Sequence, residues 1–470
     1  MPRLVAYGSY LPHFRLRRDA IRATLGTAPG RGTRTVASYD EDSTTMGVEA
    51  ARSALAGLPD GREAVRQLLF ATAAPTYLDK TNAAAIHAAL GLGPDVLAVD
   101  LAGSVRSGAG ALLLGARTPS DSLVVLSDVR VGLPGSEDEA EGGDGAAAFL
   151  FAQDDGLPAL AEVLATASVT TEVLDRWRPA GATASCVWDE RFTEQVYLPL
   201  AKSAVTEALH RAGLAADGID HLIVAGLHRR AARSVAARLG AGAREVADDL
   251  TGAIGNAGAA QAGILLADVL DRAEPGRTIA LVVIGDGVCV LVLRTGEALA
   301  AHRATRPAAP RTAGGDDSLA YADYLTWRGF LDRQPQLRPA PPAPAAPPSH
   351  RRADWKFGFT AGRCTGCGSR QLPPTRVCGT CRSVDSCVPE RMDGVPATVV
   401  EYTVDRLAYS PHPPLILALV EFDGGGRLRC ELTDVAEQDV RAGLRVSMTF
   451  RRMSTTDGIS NYFWKAHPLR

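Results

Sequence analysis

Four cysteines in the stretch RCTGCGSRQLPPTRVCGTC, namely Cys364, Cys367, Cys378 and Cys381, form two Cys-x-x-Cys pairs separated by ten residues. Each pair can present two thiolates from a hairpin tip, and two such tips close a tetrahedral shell around zinc with no position left open for catalysis. Binding of that kind contributes roughly 10–16 kcal/mol to the folding of a small domain. The spacing therefore predicts a structural zinc ribbon, with Cys387 outside the paired spacing. A second stretch, DLAGSVRSGAGALLLG from Asp100 to Gly115, follows an apolar strand-like run and precedes an Ala/Leu pattern of helical length. A turn of this form presents a nucleophile to the partly positive N–H groups at a helix start. Its middle residue is Val105, which has no reactive group. Ser104 and Ser107 are the polar candidates, with capping as their simpler role. Arg106 beside them is a cation able to hold a phosphate or an oxyanion, or a solvated side chain.

The elements that must position these residues read as an α/β layer fold. Residues 1 to about 300 alternate apolar runs (LVAYGSYL, QLLFATAA, VLAVDLA, SLVVLSDV, AAAFLFA, HLIVAGL, IALVVIG, VCVLVLR) with Ala/Leu-rich amphipathic stretches. Two blocks, 1–165 and 166–300, each carry a late Gly-Asp-Gly turn before a strand, EGGDGAAAFLF and VIGDGVCVLVL, which points to an internal duplication. Asp144 and Asp286 in those turns are read as shaping the backbone. Residues 301–350 form a Pro-rich linker whose RPAPPAPAAPPSHRR prefers extended conformations. Within it SLAYADYLTWRGFLDR has helical spacing and reads as a short docking helix, and Tyr321 and Tyr324, like Tyr77, are candidate acids for an aldolase or, more simply, packing residues. Residues 351–389 carry the zinc ribbon. Residues 390–470 read as about five strands of a small barrel.

Composition narrows the class. The 470 residues hold 50 Lys plus Arg against 53 Asp plus Glu, a net charge of −3, so charge alone gives no nucleic-acid or membrane surface. Single-strand nucleic-acid binding by the barrel would need a basic groove with stacking aromatics, for which Arg427, Arg429, Arg451 and Arg452 are candidates. No run of about 18 apolar residues occurs, and the amino terminus lacks an apolar leader with a cleavage site, so a cytoplasmic protein is expected. The clustered cysteines fit a reducing compartment.

The first 300 residues resemble the thiolase superfamily, specifically 3-hydroxy-3-methylglutaryl-CoA synthase and ketoacyl-acyl-carrier-protein synthase III. The residues that carry the likeness are YDEDSTTMGVEAARSAL (39–55), the elbow at 100–115, LPLAKSAVTEALHRAGL (198–214) and GAIGNAGAAQAGILLADVL (252–270). Residues 351–470, through DRLAYSPHPPLILALVEFDGGGRLRCELTD and NYFWKAHPLR, resemble the zinc-ribbon plus OB-fold domain that accompanies thiolase-like proteins. The resemblance implies a five-layered α-β-α-β-α fold, a homodimer, and CoA or carrier-protein thioesters as substrates.

Laid on the family's motifs, Val105 occupies the slot of the nucleophilic cysteine, Ala225 that of the histidine and Ala73 that of the synthase glutamate, while Asn256 matches the carbonyl-polarising asparagine. His228 is placed one helical turn beyond Ala225 and is read as a candidate base or a surface histidine. Arg229 and Arg230, with Arg233, are candidates for the CoA phosphates or a solvated helix face. An acyl-cysteine route is thus not expected. Three readings stay open: chemistry without an acyl-enzyme, such as aldol, retro-aldol, Claisen-like or direct acyl transfer; a neighbour replacing the cysteine; or a non-catalytic acyl-CoA-binding partner of a separate thiolase. As an enzyme it would use Asn256 on the carbonyl, with the OB domain covering or extending the acyl tunnel. Several titratable groups converging between Val105, Ala225 and Asn256 would favour catalysis, and an apolar pocket the binding module.

Overall fold

The protein is described from a computed structural model covering residues 2–26, 30–58, 61–153, 156–305, 314–334 and 341–469. Two compact units divide the chain. The first holds Met1–Ser38, Asp42–Ala84 and Leu92–Tyr324; the second holds Tyr39–Glu41, Ala85–Gly91 and Leu325–Arg470.

Ten strands build the first unit's sheet: β1 (Arg3–Tyr10), β2 (Gln67–Thr72), β3 (Leu97–Ala102), β4 (Ser122–Asp128), β5 (Gly145–Ala152), β6 (Ala161–Thr170), β7 (His221–Ala225), β8 (Glu245–Val246), β9 (Thr278–Ile284) and β10 (Gly287–Thr295). Their spatial order is β8-β7-β9-β10-β6-β1-β5-β4-β2-β3. Read outward from the β1/β6 join, both halves repeat one pattern, two antiparallel pairings followed by two parallel ones. The duplication expected from the paired Gly-Asp-Gly turns is thus a repeat of strand order and direction. The 165/166 boundary falls inside β6, which belongs wholly to the second half. Neither β6 nor the two-residue β8 is among the predicted strands: AEVLATASVT alternates small and polar residues and lacks the apolar run that marks a strand buried on both faces.

Five helices complete the layers: α1 (Ser43–Leu55), α2 (Arg106–Arg117), α3 (Glu190–Ala212), α4 (Arg229–Leu239) and α5 (Gln261–Arg272). Helix α1 covers β1, β4 and β5, while α3 and α4 cover β6, β7, β9 and β10; α2 and α5 each touch strands of both halves. This is the five-layered α-β-α-β-α arrangement. Central helices must be apolar all round, and QAGILLADVL of α5 is buried along nearly its whole length. Asp42 opens α1 by accepting from the Thr45 N–H at 2.9 Å while the Thr45 hydroxyl accepts from the Asp42 N–H at 2.9 Å, a reciprocal cap. Among the described residues no helix is long and apolar enough to cross a membrane.

The helix expected in SLAYADYLTWRGFLDR spans Tyr321–Trp327. In the first unit Tyr321 donates to Glu139 at 2.9 Å and Tyr324 accepts from Arg34 at 3.0 Å, both tyrosines being buried. Parts of the expected linker, 306–313 and 335–340, lie outside the described residues. Ala346–Arg351, expected to be extended, is a short helix with prolines in its first turn, where a missing N–H costs nothing.

In the second unit, Thr360–Cys364, Arg370–Gln371 and Cys387–Arg391 form a three-stranded ribbon. The barrel runs Arg427–Glu431, Leu415–Phe422, Ala397–Asp405, Arg445–Thr456, Ile459–Pro468, and a bridge between Leu432 and Ala466 joins its ends. The unit also buries charge. Lys465, 1 % exposed, lies 3.0 Å from Asp40 and 2.6 Å from Glu431, with the Tyr39 ring beneath it at 5.1 Å. Burial alone opposes its charge, and Asp40, Tyr39 and Glu431 outweigh burial to raise its pKa. Arg451, also 1 % exposed, pairs with Asp434 at 2.6 Å and with Glu41. Two of the four arginines considered for a basic groove are therefore committed otherwise: Arg451 is internal, and Arg427 is held by Glu421 at 2.5 Å. Removing one member of a buried pair leaves the other charge uncompensated, at a cost of about 3–5 kcal/mol. Lys465→Met should lower stability by about that amount in urea denaturation followed by tryptophan fluorescence; a loss below about 1 kcal/mol would mean that the cluster behaves like a surface pair.

Candidate active site

The elbow forms where β3 ends. Gly103 takes φ +124°, open to glycine alone, and the chain turns through Ser104 and Val105 into α2. Gly108, one turn in, lets α2 lie against the carbonyl of Ala259, where a Cβ would collide. The elbow is thereby pressed onto the loop that carries Asn256.

Asp128, the last residue of β4, binds the neighbouring loops. Fully buried, it accepts from the N–H of Ala73 at 3.2 Å, the N–H of Ala259 at 3.0 Å and the Thr72 hydroxyl at 3.4 Å. Burial nevertheless raises its pKa. Two cavities open around this staple. The smaller, about 100 Å³, is walled by Ala73, Ser104, Val105, Arg178 and Asp286; the larger, about 380 Å³, by Asp138, Ala225, Gly226 and Asn256. Arg130, Arg176, Ser185, Leu227 and His228 belong to both walls. Val105 and Ala73, to which the resemblance gives the cysteine and glutamate slots, thus share one cavity, and Ala225 and Asn256, to which it gives the histidine and asparagine slots, share the other.

His228 is neither on the surface nor a helical turn beyond Ala225. It sits in the turn between β7 and α4, as the residue before the helix, and is 4 % exposed. Its Nε2 lies 2.9 Å from a carboxylate oxygen of Asp175, also 4 % exposed, which accepts from the Tyr197 hydroxyl at 2.5 Å. Burial by itself would raise the Asp175 pKa, but the His228 and Tyr197 hydrogen bonds together hold it below the usual carboxylate range. Nδ1 of His228 has no protein partner among the described residues. Asp175 was not found in the sequence because it lies in a stretch, DRWRP, without helical or strand periodicity.

Asn256 makes two hydrogen bonds: Nδ2 donates to the Gly226 carbonyl at 2.9 Å and Oδ1 accepts from the Gly258 N–H at 3.0 Å. The amide therefore orders its own loop and keeps one N–H for a ligand. Ser104 is on the cavity wall with its hydroxyl on the Asp286 carboxyl, whose pKa is raised by burial and by Asp175. Ser107 lines neither cavity. Arg106 donates to the carbonyls of Gly285 and Asp286 and to the hydroxyls of Ser168 and Thr170, at 2.7–3.0 Å, and so holds the β9–β10 turn instead of standing open to an anion. Asp144 shapes backbone as expected, accepting from the N–H groups of Ala37 and Arg130, while Asp286, with φ +46°, also faces the smaller cavity. Arg229 is paired with Glu141 and Arg230 with Glu194, and both border, with Arg233, a depression of about 210 Å³ that shares Arg229 and Glu141 with the larger cavity.

In the second unit the four Sγ atoms of Cys364, Cys367, Cys378 and Cys381 lie within 4.8 Å of one another, with Cys364 to Cys381 and Cys367 to Cys378 at 3.6 Å. A tetrahedron with Zn–S bonds of about 2.3 Å has edges of about 3.8 Å, so the donor set fits zinc. Hydroxyls of Ser386 and Ser383 hold the Cys364 thiol down to about 5.

Known proteins share this architecture. Residues 209–293 match the family described as 3-oxoacyl-[acyl-carrier-protein] synthase III C terminal, and residues 390–451 match the ChsH2 C-terminal OB-fold domain. Hydroxymethylglutaryl-CoA synthase of Aeropyrum pernix is 31 % identical over 294 residues, covering 60 % of this chain and 81 % of that protein. Among solved structures, 3-oxoacyl-(acyl carrier protein) synthase III from Pseudomonas aeruginosa PAO1 superposes with a TM-score of 0.54 at 24 % identity, over 63 % of this chain and 98 % of that one. An HMG-CoA synthase complexed with CoA does so with a TM-score of 0.57 at 18 % identity, over 71 % and 91 %. The chain belongs to the hydroxymethylglutaryl-CoA synthase family, thiolase-like in fold, and carries a C-terminal OB-fold domain of the ChsH2 type.

Proposed function

We propose that this chain is an enzyme that makes or breaks a carbon–carbon bond on a CoA or carrier-protein thioester, by aldol, retro-aldol or Claisen-like chemistry, or transfers an acyl group, without an acyl-cysteine. One observation carries the reading: where the family's slots hold Val105, Ala225 and Ala73, His228 stands in the shared wall of both cavities, paired with Asp175. A non-catalytic partner that only holds acyl-CoA has no use for titratable groups converging at the reacting end, whereas a proton-transfer catalyst requires them.

In the aldol direction, Nδ1 of His228 accepts the α-proton of the bound thioester while the free N–H of Asn256 donates to the thioester oxygen as it gains charge. The α-carbon then forms its bond to the acceptor carbonyl, whose oxygen takes the proton back from His228. The thioester remains intact and no acyl group passes to the protein. Asp175 fixes the ring orientation and stabilises its protonated form, and Tyr197 fixes Asp175 in turn. Arg229 and Arg230 are proposed to meet CoA phosphates at the rim, and Ser104 to contact the acceptor. The working state is proposed to be a cytoplasmic homodimer, as the resemblance implies. The four-cysteine cluster is proposed to hold one structural zinc.

Incubating the protein with a panel of CoA thioesters and carbonyl acceptors should yield condensed or cleaved products, or free CoA; no product from any of them would favour the non-catalytic partner. His228→Gln, which retains a donor for Asp175, should cut turnover by about 10²–10⁴-fold with little change in melting temperature. Equal activity would remove His228 from the mechanism. Iodoacetamide should leave turnover intact, because residues 100–115 hold no cysteine and Cys289 is buried; an acyl adduct on any cysteine during turnover, seen by mass spectrometry, would restore the acyl-cysteine route. Elemental analysis should find one zinc per chain, lost in Cys364→Ser with Cys378→Ser; full metal retention in that variant would contradict the ligand assignment.

A further inference from the structure

We propose that Asp286 is a second proton-transfer residue of this site, serving the oxygen on the β-carbon of a 3-hydroxyacyl thioester while His228 serves the α-carbon. The inference rests on the aldol and retro-aldol reading above and adds a catalytic residue and the substrate's hydroxyl. The two duplicated halves supply an internal comparison. Gly143-Asp144-Gly145 and Gly285-Asp286-Gly287 open the corresponding strands β5 and β10. Asp144 is fully buried, and its carboxylate is committed to the N–H groups of Ala37 and Arg130, at 2.7 and 2.8 Å, and to Arg34. Asp286 has no such task. Among the described residues no backbone N–H donates to its carboxyl, whose hydrogen-bonding neighbour is the Ser104 hydroxyl, and the residue lines the smaller cavity. The same turn therefore ties one aspartate into the fold and presents the other to a cavity.

The backbone of Asp286 is held independently of its carboxyl. Its N–H donates to the Tyr197 hydroxyl at 3.2 Å and its carbonyl accepts from Arg106 at 2.9 Å, with φ at +46°, a left-handed conformation that Asp and Asn tolerate. The Tyr197 hydroxyl also donates to Asp175, the partner of His228, so one tyrosine positions both Asp286 and the histidine pair. Burial first, then repulsion from Asp175 and Glu172, raises the Asp286 pKa against the pull of Arg106 and Ser104. A carboxyl moved in that direction is better suited to exchange protons near neutrality.

The order of three groups follows the atoms of a 3-hydroxyacyl thioester. Of the two cavities, Asn256 lines the larger alone, His228 both and Asp286 the smaller alone, in the sequence of thioester carbonyl, α-carbon and β-oxygen. In the cleavage direction the Asp286 carboxylate takes the β-hydroxyl proton and the Cα–Cβ bond breaks as the β-carbonyl forms. The electron pair left on the α-carbon then takes a proton from Nδ1 of protonated His228. Condensation runs the same steps in reverse, with the acceptor oxygen protonated by Asp286 in place of His228. The proton gained at Asp286 and lost at His228 returns through water. The volume of about 100 Å³ beside Asp286 is room for a carbonyl compound of a few carbons.

Two reactions of the full chain separate the two proton transfers: cleavage of a panel of 3-hydroxyacyl-CoA esters, such as 3-hydroxybutyryl-CoA to acetyl-CoA and acetaldehyde, and deuterium exchange from D₂O into the α-position of acetyl-CoA. Asp286→Asn, which fits the same backbone, should cut cleavage by about 10²–10⁴-fold while exchange and melting temperature stay unchanged; Asp144→Asn should instead lower the melting temperature. Undiminished cleavage by Asp286→Asn overturns the proposal and leaves the proton's return to His228. An equal loss of cleavage and exchange also overturns it, because Asp286 would then act only by supporting His228. If Asp286→Asn does not fold, Asp286→Gly, suited to the same φ, must show the split between cleavage and exchange, and no split overturns the proposal. In the native protein, exchange without cleavage of any 3-hydroxyacyl-CoA removes this inference and keeps the α-proton reading, whereas neither reaction removes both.

Discussion

The buried Asp128 carboxylate is the constraint on which the site depends. Three donors, two of them backbone N–H groups from loops far apart in sequence, converge on it from Ala73 and Ala259. Those loops are the ones that close on the elbow, so the end of β4 sets the distance between the strand ends of the first half and the Asn256 loop of the second. Such a carboxylate is expensive to bury, and three hydrogen bonds with Arg130 nearby offset that cost only in part, which is why its pKa stays raised. The cavity is therefore a consequence of how two duplicated halves are tied together.

The positions that the resemblance gives to a thiolate, an imidazole and a carboxylate hold alkyl side chains at Val105, Ala225 and Ala73, and cations stand close by: Arg130, Arg176 and Arg178, with His228 set between the two cavities. A nucleophile and a base need a dry, precisely spaced pair; an aldol-type reaction needs one proton acceptor and a polarised carbonyl, which His228 and Asn256 can supply. The hydrogen bond from Tyr197 and the ion pair to His228 share one oxygen of Asp175, so ring position is set by the protein and not left to the substrate.

Much of this was legible in the sequence where chemistry and periodicity coincide. Two Cys-x-x-Cys pairs, the elbow, and apolar runs long enough to be buried on both faces announce the ribbon, the turn and eight of the ten strands of the large sheet. The strand Ala161–Thr170 escaped because Glu162, Thr166, Ser168 and Thr170 break up its apolar residues. The site itself was half visible. Asn256 stands out as one polar residue among small ones, but Arg130, Arg176, Arg178 and Asp175 are spread over two segments whose meeting depends on tertiary structure. Their one local signal is placement: Arg130 follows the carboxyl end of β4, where sheets of this class gather function. The burial of His228 was hidden by its neighbours, since Arg229 and Arg230 suggest a solvated face, whereas the turn into α4 carries His228 inward, leaves Arg229 half-buried at the larger cavity and turns Arg230 outward.

The central claim is that this cavity moves a proton at a thioester α-carbon without acylating the protein. Deuterium incorporation from D₂O into the α-position of a bound acyl-CoA, followed by NMR in the absence of an acceptor, tests it most directly. The account predicts exchange well above the uncatalysed rate, lost in His228→Gln and insensitive to iodoacetamide; exchange no faster than in buffer, or equally fast in the variant, would contradict it.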